Sequence, residues 1–150
     1  MESRTVTAVG VCFYCVKTNR YLYLMRNDAK HPNTWGLPGG KMLAGETLLD
    51  TLSRECNEEL GAMPDYLQLI PLEKFTSNDQ HFIYSTFWCS VENEFVPELN
   101  DEHIGWAWIK AGNWPRPMHP GLWNTLSLDA VQLKINQVEN SLQSTYYNFN

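Results

Sequence analysis

Three carboxylates, Glu55, Glu58 and Glu59, stand near the end of a segment whose spacing predicts a helix from Thr47 to Leu60. At about 100° per residue they fall within an arc of roughly 100° on that helix. Like charges at i,i+3 and i,i+4 repel by roughly 0.2–0.5 kcal/mol per pair, and carboxylates in the last turn also face the negative end of the helix dipole. A hard divalent cation removes both penalties. Mg²⁺, with Mn²⁺ as the alternative, takes oxygen ligands and is held by a few carboxylates together with substrate phosphates. A solvated acidic face would tolerate the same residues, so the neighbours decide. Leu48, Leu49, Leu52, Cys56 and Leu60 form an adjacent apolar arc, which predicts one buried side. Glu59 lies on the border of that arc, where a carboxylate is partly desolvated and needs a partner. Gly61 suits the left-handed residue after the helix, and Pro64 suits its exit. Ahead of the helix, Pro38-Gly39-Gly40 reads as a tight loop whose backbone can approach a ligand closely.

Written as a pattern from Gly40 to Gly61, these residues are G-x5-E-x7-R-E-x-x-E-E-x-G. The pattern resembles the box of the Nudix hydrolase family at every charged and glycine position. It departs from it mildly, with small apolar Cys56 and Ala62 where large aliphatic residues are usual. The resemblance implies an α/β fold, the α/β/α sandwich built on a mixed β-sheet. It also implies metal on Glu55, Glu58, Glu59 and the Gly39 carbonyl, and a brace between Glu46 and Arg54 that holds the loop against the helix. Arg54 and Glu55 are then catalytic, with Glu55 a candidate proton acceptor.

Outside the box, the segment Leu99 to Trp108 holds the next candidates. Many Nudix enzymes place an acid or a histidine in the loop before the final strand, as a further metal ligand or as the base that activates water. Glu102 and His103 stand there, beside Asp101. An unperturbed histidine titrates near 6.5 and serves as a base at neutral pH, whereas a carboxylate suits a hard cation better. The bland alternative is a solvated acidic turn. Arg26 and Lys41 are candidate phosphate contacts. Trp35, Trp88, Trp106 and Trp108 are candidate stacking platforms, although aromatics on strands more often build core. His31, His81 and His119 have no local partners and read as structural.

The elements that position these residues follow from the pattern. Thr5–Val16 and Arg20–Arg26 are rich in β-branched and aromatic residues and read as a hairpin. Asn27–Thr34 is a polar loop, Leu67–Phe75 and His81–Val91 read as strands, and Gly105–Ile109 is a short one. Leu122, Leu126, Ala130 and Leu133 have helical spacing in a segment from Pro120 to about Val138. The order β-β-α-β-β-β-α predicts a mixed sheet with helices on both sides. A chain of 150 residues is expected to form one domain over 1–150, and its hydrophobic fraction of 43% supplies a core. Cys12 and Cys15 form a C-x-x-C, but within a strand they point to opposite faces, so buried free thiols are expected instead of zinc. The tail from Ser144 to Asn150, with Tyr146, Tyr147 and Phe149, can pack on a neighbour, which makes a homodimer the expected assembly if one forms.

A net charge of -6 argues against general binding to nucleic-acid backbone, so capped or triphosphorylated RNA would have to be gripped locally. With no basic segment leading into an apolar run and no long apolar stretch, a soluble, cytoplasmic protein is expected. The first functional reading is a Mg²⁺-dependent pyrophosphohydrolase. It acts on nucleoside diphosphates linked to another group, such as ADP-ribose, dinucleoside polyphosphates or nucleoside triphosphate derivatives, by attack of water on phosphorus. One alternative is a nucleotide-sugar glycosyl hydrolase of the GDP-mannose type, suggested by Glu102-His103. The other is a non-catalytic nucleotide-sensing domain, a class that often loses box glutamates, and none is missing here.

Overall fold

A computed structural model describes residues 5–149, with side chains through Thr145. The aromatic side chains of Tyr146, Tyr147 and Phe149, and Asn150 itself, lie outside the described residues. The expected first hairpin forms from β1 (Val6–Cys15) and β2 (Arg20–Arg26), in antiparallel register Tyr14↔Tyr21 and Cys15↔Arg20. Asn19 turns the chain with φ 54°, a conformation that asparagine tolerates. Beyond its turn the hairpin separates. β1 passes to β4 (Gly39–Lys41) at Ala8, Val9 and Gly10, while β2 pairs along its length with β7 (His103–Lys110) and at its end with β3 (Trp35–Gly36). β5 (Gln68–Thr76) and β6 (Phe82–Val91) complete a seven-stranded mixed sheet, in which β1 and β6 are the parallel pair.

The sheet is covered on both faces, as the element order predicts. Helix α1 (Leu48–Leu60) packs Leu52, Cys56 and Leu60 onto Val9, Val11, Phe13, Leu22 and Leu24. On the other face, α2 (Pro120–Leu126) and α3 (Asp129–Phe149) set Leu122, Leu126, Val131 and Ile135 against Cys12, Tyr14, Tyr21, Tyr23 and Trp88. Burial of each large apolar side chain contributes about 1.5–3 kcal/mol, so these two layers hold the sheet in place. All four cysteines are free and buried, with Cys12 and Cys15 in opposite layers. Among the described residues no helix is long and apolar enough to cross a membrane.

Four expectations need correction. Pro38-Gly39-Gly40 is not a free loop, because Gly39 and Gly40 join β1 as β4. Leu49 is exposed, since the buried stripe of α1 is narrower than the arc drawn from sequence. The segment 120–138 is two helices broken at Ser127 and Leu128, and the second runs on to Phe149. β7 begins at His103, so that histidine is a strand residue and does not lie in the loop before it.

Candidate metal and active site

Helix α1 delivers its carboxylates with defined ends. Thr47 caps it in a reciprocal box: the Thr47 hydroxyl accepts from the Asp50 amide, and the Asp50 carboxylate accepts from the Thr47 amide. At its other end Gly61 has φ 91°. The Thr47-x-x-Asp50 spacing, which the sequence reading passed over, carries the signal for this cap. The lower end of the helix lies against β4, and two glycines make the approach close. A β-carbon at Gly39 would run into the Val9 carbonyl, and one at Gly40 would occupy the Glu55 carboxyl group. The glycine at Gly40 therefore holds open the space that the Glu55 carboxylate fills.

Glu46 and Arg54 meet as the resemblance implies. Arg54 Nε lies 2.7 Å from Glu46 Oε2, and its Nη2 donates to Glu46 Oε1 at 3.1 Å and to the Lys41 carbonyl at 2.9 Å. The Thr51 hydroxyl and the Leu43 amide also donate to Glu46 Oε1. These donors, Arg54 above all, hold the Glu46 pKa down to about 2. Arg54 Nη1 reaches Glu55 Oε1 at 2.8 Å and Glu58 Oε1 at 3.4 Å. One guanidinium thus ties the β4 end, the loop and two box carboxylates together.

Glu59 is the most deeply placed charge-bearing group of the site, 1% exposed. The Gly39 amide donates to its Oε2 at 3.0 Å. Burial pushes the Glu59 pKa up to about 9, with Glu55 and Glu102 adding to the rise and the Gly39 hydrogen bond opposing it. Burial also raises Glu55, against the pull of Arg54. The sheet contributes the rest. The Asn27 amide donates to the Glu102 carbonyl, Asn27 Nδ2 to the Asp101 carbonyl, and the Glu102 amide to Asn100 Oδ1. These contacts, which the sequence did not single out, hold the turn so that donor atoms of Glu59, Glu102 and His103 all lie within 4.8 Å of one another.

His103 does not have the properties expected of a solvent-facing base. Its imidazole is buried, and burial, with the Arg26 charge second, lowers its pKa to about 4. Its Nδ1 lies 3.6 Å from Glu59 Oε1 and has no hydrogen-bond partner among the described residues. That separation is too long for a hydrogen bond, and burial pushes both groups towards neutrality, so the contact is not an ion pair. A buried nitrogen left unpaired beside two carboxylates fits a divalent cation. An acid-only reading of the cluster leaves that nitrogen unexplained.

The remaining candidates divide. Glu58 is exposed beside Arg54 and lies outside that donor cluster. Lys41 is exposed, and only its backbone carbonyl is engaged with Arg54. Arg26 is bound at two points by Asp28, at 2.9 and 3.0 Å. Trp88 and Trp108 are core, which removes them as stacking platforms, while Trp106 remains 39% exposed and Trp35 is half-buried. His31 and His119 meet edge to face, and His119 caps α2.

The NUDIX domain family matches residues 4–127 of the chain. Dihydroneopterin triphosphate diphosphatase of Haemophilus influenzae is 32% identical over 126 residues, spanning 74% of this chain and 78% of its own. Nucleoside triphosphatase NudI of Escherichia coli is 30% identical over 126 residues, spanning 73% and 84%. Among solved structures, a MutT NUDIX hydrolase from Burkholderia pseudomallei matches with TM-score 0.63 at 25% identity, over 80% of this chain and 95% of that one. The Nudix hydrolase RenU of M. smegmatis matches with TM-score 0.65 at 17% identity, over 93% and 87%, and shows the shared fold.

Proposed function

The chain belongs to the NUDIX domain family of hydrolases that act on phosphate anhydrides, and from that premise we propose that it hydrolyses the triphosphate chain of a nucleoside or pterin-like triphosphate by attack of water on phosphorus. The observation that carries the reading is the gathering of Glu55 and Glu59 at the paired glycines of β4, with Glu102 beside Glu59 and Arg54 holding Glu55. The two relatives named above act, by their names, on triphosphates. Those names support a substrate that carries three phosphates over other linked nucleoside diphosphates.

Glu55, Glu59 and Glu102, with Glu58 and the Gly39 carbonyl as further oxygen donors, would hold Mg²⁺. When bound, the ion would supply positive charge to the phosphate oxygens and make water easier to deprotonate. Arg54 orients Glu55 and opposes the rise in its pKa that burial causes. Glu55 takes the proton of the attacking water, and Glu46 fixes Arg54 so that Glu55 does not move. Arg26 contacts phosphate only if it exchanges Asp28 for substrate, whereas the exposed Lys41 side chain needs no such exchange. The nucleotide-sugar alternative rests on Glu102-His103 before the final strand; the complete box and the burial of His103 weigh against it. The sensing alternative belongs to a class that often loses box glutamates, and Glu55, Glu58 and Glu59 are all present.

A panel of nucleoside triphosphates, dihydroneopterin triphosphate, ADP-ribose and GDP-mannose tests the proposal, with products resolved by chromatography and water labelled with ¹⁸O. Turnover of triphosphates with label in a phosphate product is expected. Label in a free sugar, or turnover confined to nucleotide sugars, overturns it.

A further inference from the structure

On the face of the sheet away from α1, a cavity of about 220 Å³ lies between β1, β2 and α3. The family match ends at residue 127 and α3 begins at Asp129, so one wall of this cavity belongs to a helix outside the matched domain. Its charge is of one sign. Glu139 supplies a half-buried carboxylate, and no lysine, arginine or histidine among the described residues lines the space. Tyr21 donates to Glu139 Oε2 at 2.6 Å, while Oε1 accepts no hydrogen bond and meets no cation among the described residues. Burial raises the Glu139 pKa and the Tyr21 hydrogen bond opposes that rise, so a charged carboxylate here is costly until a cation meets it. Tyr23, only 4% exposed, also lines the cavity, and its hydroxyl has no hydrogen-bond partner among the described residues. That partner must come from the cavity. Tyr21, Tyr23 and Trp114 bring aromatic rings to the walls, and ring faces attract cations.

We propose that this cavity binds a small organic cation, a primary ammonium on a short apolar stem. The ammonium donates to Glu139 Oε1 and the Tyr23 hydroxyl, and the stem lies against Trp114, Leu126 and Ile135. An ammonium carries three N–H donors and no acceptor, which matches a site whose free groups are a carboxylate oxygen and a hydroxyl. An anion would meet Glu139 with like charge, and an apolar neutral molecule would leave Oε1 idle. The box carboxylates of α1 lie under the other face of the sheet, so the inference does not depend on the hydrolase reading.

Phenethylammonium is the probe, with 2-phenylethanol as its uncharged counterpart and phenylacetate as its anionic one. Each is titrated into the full chain by calorimetry, and ¹H–¹⁵N spectra locate the binding. Saturable one-to-one binding of phenethylammonium is expected, about tenfold or more tighter than that of 2-phenylethanol, with phenylacetate weaker still. Shifts should centre on Ala111, Gly112 and residues 135–139 of α3. Glu139→Gln should bring phenethylammonium level with 2-phenylethanol, because the amide keeps an acceptor for Tyr21 but not the charge. Asn136 is exposed and stands one turn before Glu139 on the lining of the cavity. Asn136→Lys therefore sets an ammonium beside the carboxylate without disturbing the core, and should weaken the probe by about tenfold. That variant decides the matter if Glu139→Gln fails to fold. Absence of saturable binding overturns the proposal, as do equal affinities for the ammonium and the alcohol in the wild type. Unchanged affinity in Asn136→Lys, or shifts confined to α1 and β4, is equally fatal.

Discussion

Two buried polar clusters lie on opposite faces of one sheet, and they are built to opposite rules. Beneath α3, the Trp88 indole donates to the Tyr21 hydroxyl at 2.8 Å, and Tyr21 donates to Glu139 Oε2 at 2.6 Å. Beside them Gln143 donates to the Tyr14 hydroxyl and the Val16 carbonyl, and Tyr14 donates to Asn19. Each of these donors has its acceptor. Beneath α1, burial raises the Glu59 pKa, with Glu55 and Glu102 adding to the rise, and His103 Nδ1 has no hydrogen-bond partner among the described residues. The first cluster has the satisfied form that stabilises a fold. The second keeps charge-bearing groups together at a cost, and such local conflict marks a functional site when a ligand can resolve it.

The sharpest way to break this comparison is to remove the proposed proton acceptor. Glu55→Gln is expected to lower kcat by about 10²–10⁴ while the far-ultraviolet spectrum stays unchanged. The thermal midpoint without metal should be equal or higher, since one source of carboxylate repulsion is gone. Steady-state kinetics at saturating Mg²⁺ or Mn²⁺ decide it. Near-normal turnover would move the proton acceptor elsewhere.

Metal addition sharpens the contrast. An ion that binds only the folded protein stabilises it by about 2.7 kcal/mol at a concentration one hundred times its Kd. Wild-type protein should therefore gain several degrees in thermal midpoint with saturating divalent cation, and Glu59→Gln should lose that gain. Calorimetric scans with and without metal check both. An equal gain in the variant would show that Glu59 is not a ligand.

The satisfied cluster should respond in the reverse way. Tyr21→Phe strands the Trp88 N–H and takes the donated proton from Glu139, at a cost of about 1–3 kcal/mol for the buried group left unpaired. Chemical denaturation measures that loss. kcat/KM should stay within about twofold, because the cluster lies under the other face of the sheet.

The sequence disclosed the helix and strands where a pattern is local. The α1 face follows from the spacing of Leu52, Cys56 and Leu60, and the Tyr14–Tyr21 hairpin follows from two β-rich runs across a short turn. Depth and distant pairing left no such mark. Periodicity placed Leu49 with its neighbours, but whether a residue at the edge of the stripe is covered depends on what lies opposite, and Leu49 stays 53% exposed. Gly39 and Gly40 read locally as a turn because glycine favours turns, whereas their partners in β1 lie far back in the chain. His103 read as a loop base for the same reason. Its burial and its missing partner come from Glu59 on α1, which no spacing around His103 records.

The smallest expected effect tests how the brace feeds the unsatisfied cluster. Glu46 has its pKa lowered from 4.5 to about 2, chiefly by the hydrogen bond from Arg54. A carboxylate depressed in the folded state contributes stability that is fully present above its unfolded pKa and is lost as pH falls through the folded value. The contribution should therefore be complete above about pH 5 and fade between about 4.5 and 2. Because Glu46 lies near solvent, screening keeps the effect small, and Glu46→Gln should differ from wild type by only a modest shift in thermal midpoint at pH 7. That shift should shrink to nothing as the pH approaches 2. The clearer consequence is functional. Without Glu46, Arg54 keeps its contacts to Glu55 and Glu58 but loses the anchor on its Nε, so Glu55 is held less firmly. kcat should fall in Glu46→Gln by less than in Glu55→Gln, with metal affinity little changed. A pH-independent difference in midpoint would show that Glu46 acts through packing and not through its charge, and an unchanged kcat would separate the brace from the site it adjoins.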